Sequence, residues 1–222
     1  MHSALCFLPL LAWLASSVAV AQPGGQQTYA IDTEGSDIHW LVYSAGAFSR
    51  LGHHHVISVD EFTGAVTLNS TNPAESRFEL EIPVASLVVD DPALRARYGE
   101  DFASEPSAKD IEGTRGNMLG ERVLQANQYP VLRVTGMGPR GTAENQTFEI
   151  EVELLGRSVG LSVPTKVTIA GDRLEAAGEF DLTHTDLGMK PFSVMAGALQ
   201  VADRMTFSYR LRADRAQAEP AR

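Results

Sequence analysis

The sequence predicts an all-β chain whose antiparallel strands pair or close on themselves, with one short helical insertion. Three observations carry that prediction. Apolar and polar residues alternate with period two over 77–82, 148–154 and 204–211. Clusters of Gly, Asn and Asp separate such runs, and only residues 92–124 break the pattern toward helix. Successive side chains of a strand point to opposite faces, so this alternation marks strands with one buried and one wet side.

The chain opens with an apolar run over 4–20, broken by Pro9 and two serines and ending in Ala19-Val20-Ala21, a small-residue cleavage pattern. The run is short for the roughly 20 apolar residues of a membrane span, so residues 1–21 read as a secretory signal peptide. One domain over 22–222 follows. It contains no cysteine, because Cys6 is the only one in the chain. Disulfides and thiolate chemistry are thereby excluded.

Strands are predicted at 27–31, 37–43, 55–62, 64–69, 77–82, 131–135, 148–154, 160–169, 173–183 and 204–211. The clearest place Phe78, Leu80 and Ile82 on one face. Phe148, Ile150, Val152 and Leu154 likewise oppose three glutamates, and Met205, Phe207, Tyr209 and Leu211 oppose polar residues. Ala170-Gly171-Asp172-Arg173 supplies a turn. In the insertion, Asp91 caps a short helix with Pro92 at its first position and Gly99 beyond its end. Ser107 and Asp110 form a capping pair for a second helix, which Gly113, Gly116 and Gly120 weaken. The polar segment after Leu211 is expected to fray. Half-buried strands in this number must pair as a sandwich or close as a barrel. A barrel of about eight strands is just wide enough for one ligand.

Lys and Arg number 18 against 28 Asp and Glu, a formal net charge of −10. An acidic chain without a basic run repels phosphate backbones, which argues against nucleic acid as a partner. The string GMGPRG at 136–141 matches G-x-G-x-x-G but leads into a strand, so no helix dipole is aimed at a pyrophosphate. Three of the six histidines are consecutive, His53-His54-His55. At the mouth of a strand His53 and His55 share a face and His54 takes the other. Such an H-x-H pair offers two nitrogens to zinc or copper, with His184, Asp186 or His39 as a third ligand. The other reading is a set of hydrogen-bonded and solvated rim side chains. No nucleophile accompanies the cluster, so no catalytic residue is assigned and no cofactor is expected.

The order of motifs along 22–222 resembles the YceI-like family of periplasmic lipid- and polyisoprenoid-binding proteins. Tyr29-x-Ile31-Asp32 and Phe62-x-Gly64 are similar to that family's first hairpins. IPVASLVVDDPALRARYG and Tyr129-Pro130 are similar to its middle, and Asp186-Leu187-Gly188 with the strand from 204 to its end. GTRGNMLG stands where the family usually has R-D-x-H-L, and LGHHHV is richer in histidine than the matching segment of many members.

The resemblance implies a lipocalin-like antiparallel β-barrel of about eight strands in a periplasmic, non-enzymatic carrier of a hydrophobic isoprenoid or related lipid, with a homodimer left open. Interiors are close-packed by default, so the apolar stripes alone read as a filled core. The resemblance implies a tunnel instead, lined by Trp40, Val42, Phe62, Phe78, Leu80, Phe148, Ile150, Phe207 and Tyr209, with Met118 and Leu119 as lid contacts. A headgroup would meet His55, Arg115 and Asn117 at the open end. A metal site on His53, His55 and His184, or a packed module without ligand, are the alternatives.

Overall fold

The computed structural model describes residues 25–142 and 145–216; the segment read as a signal peptide, 1–21, lies outside them. The described strands are β1 (Gln26–Ala45), β2 (His55–Val59), β3 (Thr63–Asn69), β4 (Ser76–Pro83), β5 (Leu87–Val89) and β6 (Val131–Thr142). They continue as β7 (Asn145–Leu154), β8 (Arg157–Pro164), β9 (Lys166–Ala170), β10 (Arg173–Thr183), β11 (Ser193–Val194) and β12 (Leu199–Arg215). Two helices, α1 (Pro92–Arg95) and α2 (Ala108–Leu119), fill the insertion. The strands form one antiparallel sheet in the order β8, β7, β6, β4, β3, β1, β12, β10, β9, with β2 bridging β1 and β5, and β11 on β12. The architecture is the expected all-β, barrel-like one. The segments outnumber eight because the ladders break where the chain bends, at 60–62 and at Thr165.

The sheet curls far enough for its two ends to meet. β8 and β9, at opposite ends of the order, are one run of chain interrupted only by Thr165. β8 pairs with β7, and β9 pairs with β10. At this seam Thr165 Oγ1 lies 2.6 Å from the Tyr209 hydroxyl, which donates to the Pro164 carbonyl at 3.3 Å. Gly178 of β10 is required there, since a Cβ would stand 2.4 Å from the Pro164 oxygen. Away from the seam, β8 and the second half of β10 share no ladder. Leu161 and Phe180 instead pack with Val152, Leu154, Leu182, Leu187 and Met205 across the gap.

β1 is a single strand where the sequence pattern suggested two. Against β12 its register passes from Asp32↔Arg212 to Asp37↔Arg210, so β1 advances five residues while β12 advances two. Three extra residues are an odd number, and an odd insertion reverses which side chains face inward. Tyr29 and Ile31 before the bulge, and Ile38, Trp40 and Val42 after it, therefore face the same interior. Asp32 holds the bulge by accepting from Gly35 N at 3.0 Å, and its carbonyl accepts from Ser36 Oγ at 2.6 Å.

At the other terminus β12 runs on to Arg215, so the expected fraying after Leu211 is corrected for 212–215. Ala213, paired with both Ile31 and Leu174, is 1% exposed and locks this stretch into the sheet. GMGPRG lies within β6, where Gly136 makes room for a ring: a Cβ would meet Phe78 at 2.3 Å. Both helix starts form as the caps predict. Asp91 accepts from Leu94 N, and Ser107 and Asp110 make a reciprocal capping box. No described helix is long and apolar enough to cross a membrane.

Candidate functional site

The inward faces of the strands enclose a cavity of about 1040 Å³. A void of that size left empty in a packed core would cost on the order of 25 kcal/mol at about 24 cal/mol per Å³. That exceeds the 5–15 kcal/mol by which roughly all domains are stable. The space is therefore filled, by water or by a bound molecule. Its volume matches the upper end of ligand pockets, about 300–1,000 Å³.

Aromatic rings define its walls. Trp40, Phe207 and Phe180 occupy one row across β1, β12 and β10, since Phe207 is the register partner of both others. They stack at 5.4 Å and 5.6 Å between centroids. On another wall Phe78 and Phe148 meet edge to face at 6.3 Å, Phe78 lying over Gly136. Trp40, Val42, Phe78, Leu80, Met118, Phe148, Ile150, Phe207 and Tyr209 all line the cavity. Phe62 does not: it is 4% exposed and packs with Leu80, Ile82 and Val84 beside it. Leu119 packs against that same cluster, so only Met118 of the two lid residues reaches the interior.

Both ends of the cavity carry polar side chains, Gln27, Asn69, Arg77 and Arg215 at one and the histidines at the other. At the histidine end His53, His55, Asn117 and His184 line it, together with Lys109 and Asp110 at the start of α2. Arg115 does not join them, because α2 turns its guanidinium onto the carbonyls of Ala85 (2.6 Å) and Leu87 (3.3 Å). It straps the helix to the β4–β5 connection. The alternation argument for the triplet holds although β2 begins only at His55. His54 faces away, its ring against Phe102 and Tyr43, and its Nδ1 accepts from Ser44 N at 3.0 Å. Burial first, with Arg95 and His55 nearby, pushes the His54 pKa below its ordinary value, while Asp101 opposes the shift.

Asp90, which the sequence reading passed over in favour of its neighbour Asp91, organises this end. Its carboxylate is fully buried and accepts from His55 Nδ1 (2.6 Å), Val56 N (2.9 Å) and Arg95 Nη1 (2.7 Å). Burial raises its pKa, but the hydrogen bonds from His55 and Val56 and the adjacent positive charge outweigh burial and hold it below the ordinary value. Arg95 also donates to the His54 carbonyl at 2.6 Å and twice to Ser104 O. Asp90 itself sits at φ 56°, a conformation non-glycine residues rarely adopt. The signal for it was a buried-strand end running into two consecutive acids, VVDD, of which one cap needs only one.

His184 donates Nδ1–H to the Asp203 carbonyl at 2.9 Å. A carbonyl only accepts, so this tautomer is fixed by its partner. Across the sheet His55 pairs with Val42, Val42 with Met205, and Met205 with Leu182. β2 and β10 are thus three strand spacings apart, about 14 Å along the sheet. That separation keeps His184 from joining His53 and His55. Among the described residues no group of three or more His, Cys, Asp or Glu side chains is placed to hold a metal ion. His39 lies on the outer face, between Asp37 (2.7 Å) and the Tyr98 hydroxyl.

Fold and interior together define a class: an antiparallel barrel-like protein built around one long apolar chamber. The YceI-like domain model matches residues 29–213, and the chain belongs to that family. Sequence comparison with curated proteins finds no match. The structure is similar to BcnA of Burkholderia cenocepacia, with a TM-score of 0.59 and 14% identity over 82% of this chain and 99% of that one. It is also similar to a polyisoprenoid binding domain from Saccharophagus degradans implicated in plant cell wall breakdown. There the TM-score is 0.55 and the identity 12%, over 86% of this chain and 99% of the other. The Campylobacter jejuni YceI protein aligns with a TM-score of 0.51 and 9% identity, over 72% of this chain and 85% of that chain.

Proposed function

We propose that the protein is a carrier that holds a hydrophobic isoprenoid or related lipid in the chamber, carries out no reaction on it, and works in the periplasm. The chamber itself carries this reading: about 1040 Å³ walled by stacked and edge-on aromatic rings and aliphatic side chains. Membership of the YceI-like family supports it, as does the polyisoprenoid-binding domain among the similar structures. The cleavable leader read in residues 1–21 supports export. Each buried CH₂ of an aliphatic ligand is worth about 0.8 kcal/mol. A chain of isoprene units thus reaches useful affinity without ionic contacts.

The lipid's polar end would rest by His55 and Asn117. Asp90 occupies the His55 Nδ1, so Nε2 is the ring nitrogen left to meet a headgroup. Arg115, engaged with two carbonyls, is left out of this set. Native mass spectrometry of protein purified from its own host tests the reading. A bound lipid mass is expected; a bare chain, or one carrying only zinc or copper, would overturn it.

A further inference from the structure

We propose that the loops at the histidine end form a docking surface for an anionic lipid bilayer, so that the chamber opens against a membrane. The inference rests on the carrier reading for its purpose but on separate residues for its evidence. Six large apolar side chains are exposed among the described residues, and three belong to this rim: Phe48 at 45%, Leu51 at 72% and Met195 at 61%. Phe48 and Leu51 lie in the β1–β2 connection and Met195 in the β11–β12 connection. Phe48 N donates to Ala198 O at 2.8 Å, tying the two loops into one surface. Leu51 and Gly52 from the first loop, and Val194 and Leu199 beside the second, also line the chamber. The exposed apolar rim is thus continuous with the apolar interior.

Charge points to the same occupant. In a chain of net charge −10, neither Asp nor Glu occurs between Asp37 and Asp60 or between Asp186 and Asp203. Those two segments contain the three exposed apolar side chains of the rim. Arg50 and Lys190 lie within them, and two arginines brace the second from neighbouring elements. Arg122 donates to Ser193 O at 2.5 Å and lies 4.4 Å over the Phe192 ring, and Arg157 donates to Gly188 O at 2.9 Å. On the α2 side Lys109 and Asp110 contribute one charge of each sign. The two loops that carry the exposed apolar side chains hold Arg50 and Lys190 and no carboxylate, although Asp101 and Asp110 stand on the helical side. Such loops suit anionic headgroups, which attract Lys and Arg while the apolar side chains enter the interface. Backbone geometry adds a third observation. Met195, Ala196 and Gly197 hold φ of 52°, 54° and 88° in succession. This tip adopts a rarely populated conformation and leaves its largest side chain in solvent.

The test is co-sedimentation of protein starting at Gln22, which keeps every described residue, with vesicles of phosphatidylethanolamine and phosphatidylglycerol or of phosphatidylcholine alone. The protein is expected to bind the anionic vesicles preferentially. Phe48→Ser/Leu51→Ser/Met195→Ser should weaken binding about tenfold or more. Arg50→Glu/Lys190→Glu should abolish the preference for anionic lipid. Unchanged thermal unfolding of both variants shows that the fold is kept, as expected for exposed positions. Equal vesicle binding by wild type and triple variant overturns the proposal. So does a wild-type dimer in sedimentation velocity that the triple variant dissolves, which would assign the rim to a second copy of the chain. Lipid content of the same preparations separates the two readings: a loaded protein that ignores vesicles sinks docking alone, and an empty one that binds them sinks the carrier.

Discussion

The two helices of the insertion are attached to the barrel in opposite ways. α1 has four residues and buries two of them, Leu94 and Arg95. α2 has twelve and buries none. Arg95 is pinned by Asp90, by the His54 carbonyl and by Ser104, with Phe102 beneath its guanidinium at 5.6 Å. α2 rests on the barrel through the half-buried Ile111, Met118 and Leu119 and through the Arg115 strap. Gly113 and Gly116 interrupt it, and a Cβ on either would meet nothing within 4 Å. Length therefore does not measure attachment. The short helix is a fixed part of the wall behind His55, and the long one is loosely attached, with Met118 facing the chamber.

The most severe way to break this contrast is Arg95→Ala. It strands the buried Asp90 carboxylate without its cation, and removing one partner of a buried pair costs about 3–5 kcal/mol. Denaturant unfolding should show the loss; Arg115→Ala should cost far less, because its partners are carbonyls that water reaches. Acid should attack the same anchored region in two steps. His54 has a lowered pKa, so the unfolded chain takes up its proton first and stability falls as pH drops below about 6.5. Asp90 is also lowered, so its contribution is complete above 3.8 and disappears as pH falls through its still lower folded value. Thermal unfolding followed from pH 8 to about pH 2 should show both steps, and Asp90→Asn should shrink the second, to which Asp110, Asp181, Asp186 and Asp214 also contribute.

On the α2 side the effects are smaller. Gly113→Ala with Gly116→Ala should stabilise the helix by about 0.5–1 kcal/mol each, since the space is open and helical glycine is costly. If α2 is a lid, the double variant exchanges a fluorescent fatty acid more slowly at little change in global stability; unchanged exchange would count against a lid. Ser107→Ala removes the cap and should cost about 1 kcal/mol locally. Faster amide exchange confined to 108–119 would register it, and a global loss instead would show α2 to be as anchored as α1.

Much of the barrel was legible in sequence because its strands are half-buried, and one wet face leaves a period-two record. Phe78, Phe148, Ile150 and Phe207 could be assigned to the interior on that ground alone. What alternation cannot report is an interruption of the period. The bulge at 33–36 split β1 in two, and β5 and β11, three and two residues long, are too short to show periodicity. Phe62 lies in the bend between β2 and β3, outside both ladders, and packs in the core, which strand alternation could not foretell. Arg115 was misplaced because a glycine-rich helix gives no amphipathic face from which to read its orientation. Asp90 was missed for a different reason: its partners come from residues 55, 56 and 95, and no local spacing encodes that meeting.

The seam at Thr165 divides the meeting of the sheet's two ends into a bonded stretch and an unbonded one. Near Thr165 the β8–β9 run is bonded on both sides and Gly178 closes tightly on Pro164. Toward Arg157 no ladder joins β8 to β10; Leu161, Phe180 and Leu182 pack in one cluster there, and Arg157 donates to Gly188 O at 2.9 Å. Widening at the far end parts side chains without breaking a ladder, much as a purse opens from its clasp. One strand would then report two regimes, with amides of β8 near Arg157 exchanging with solvent well before those around Val163. Bulky or branched occupants would load from the loose end, while the stitched end sets how far in they can go.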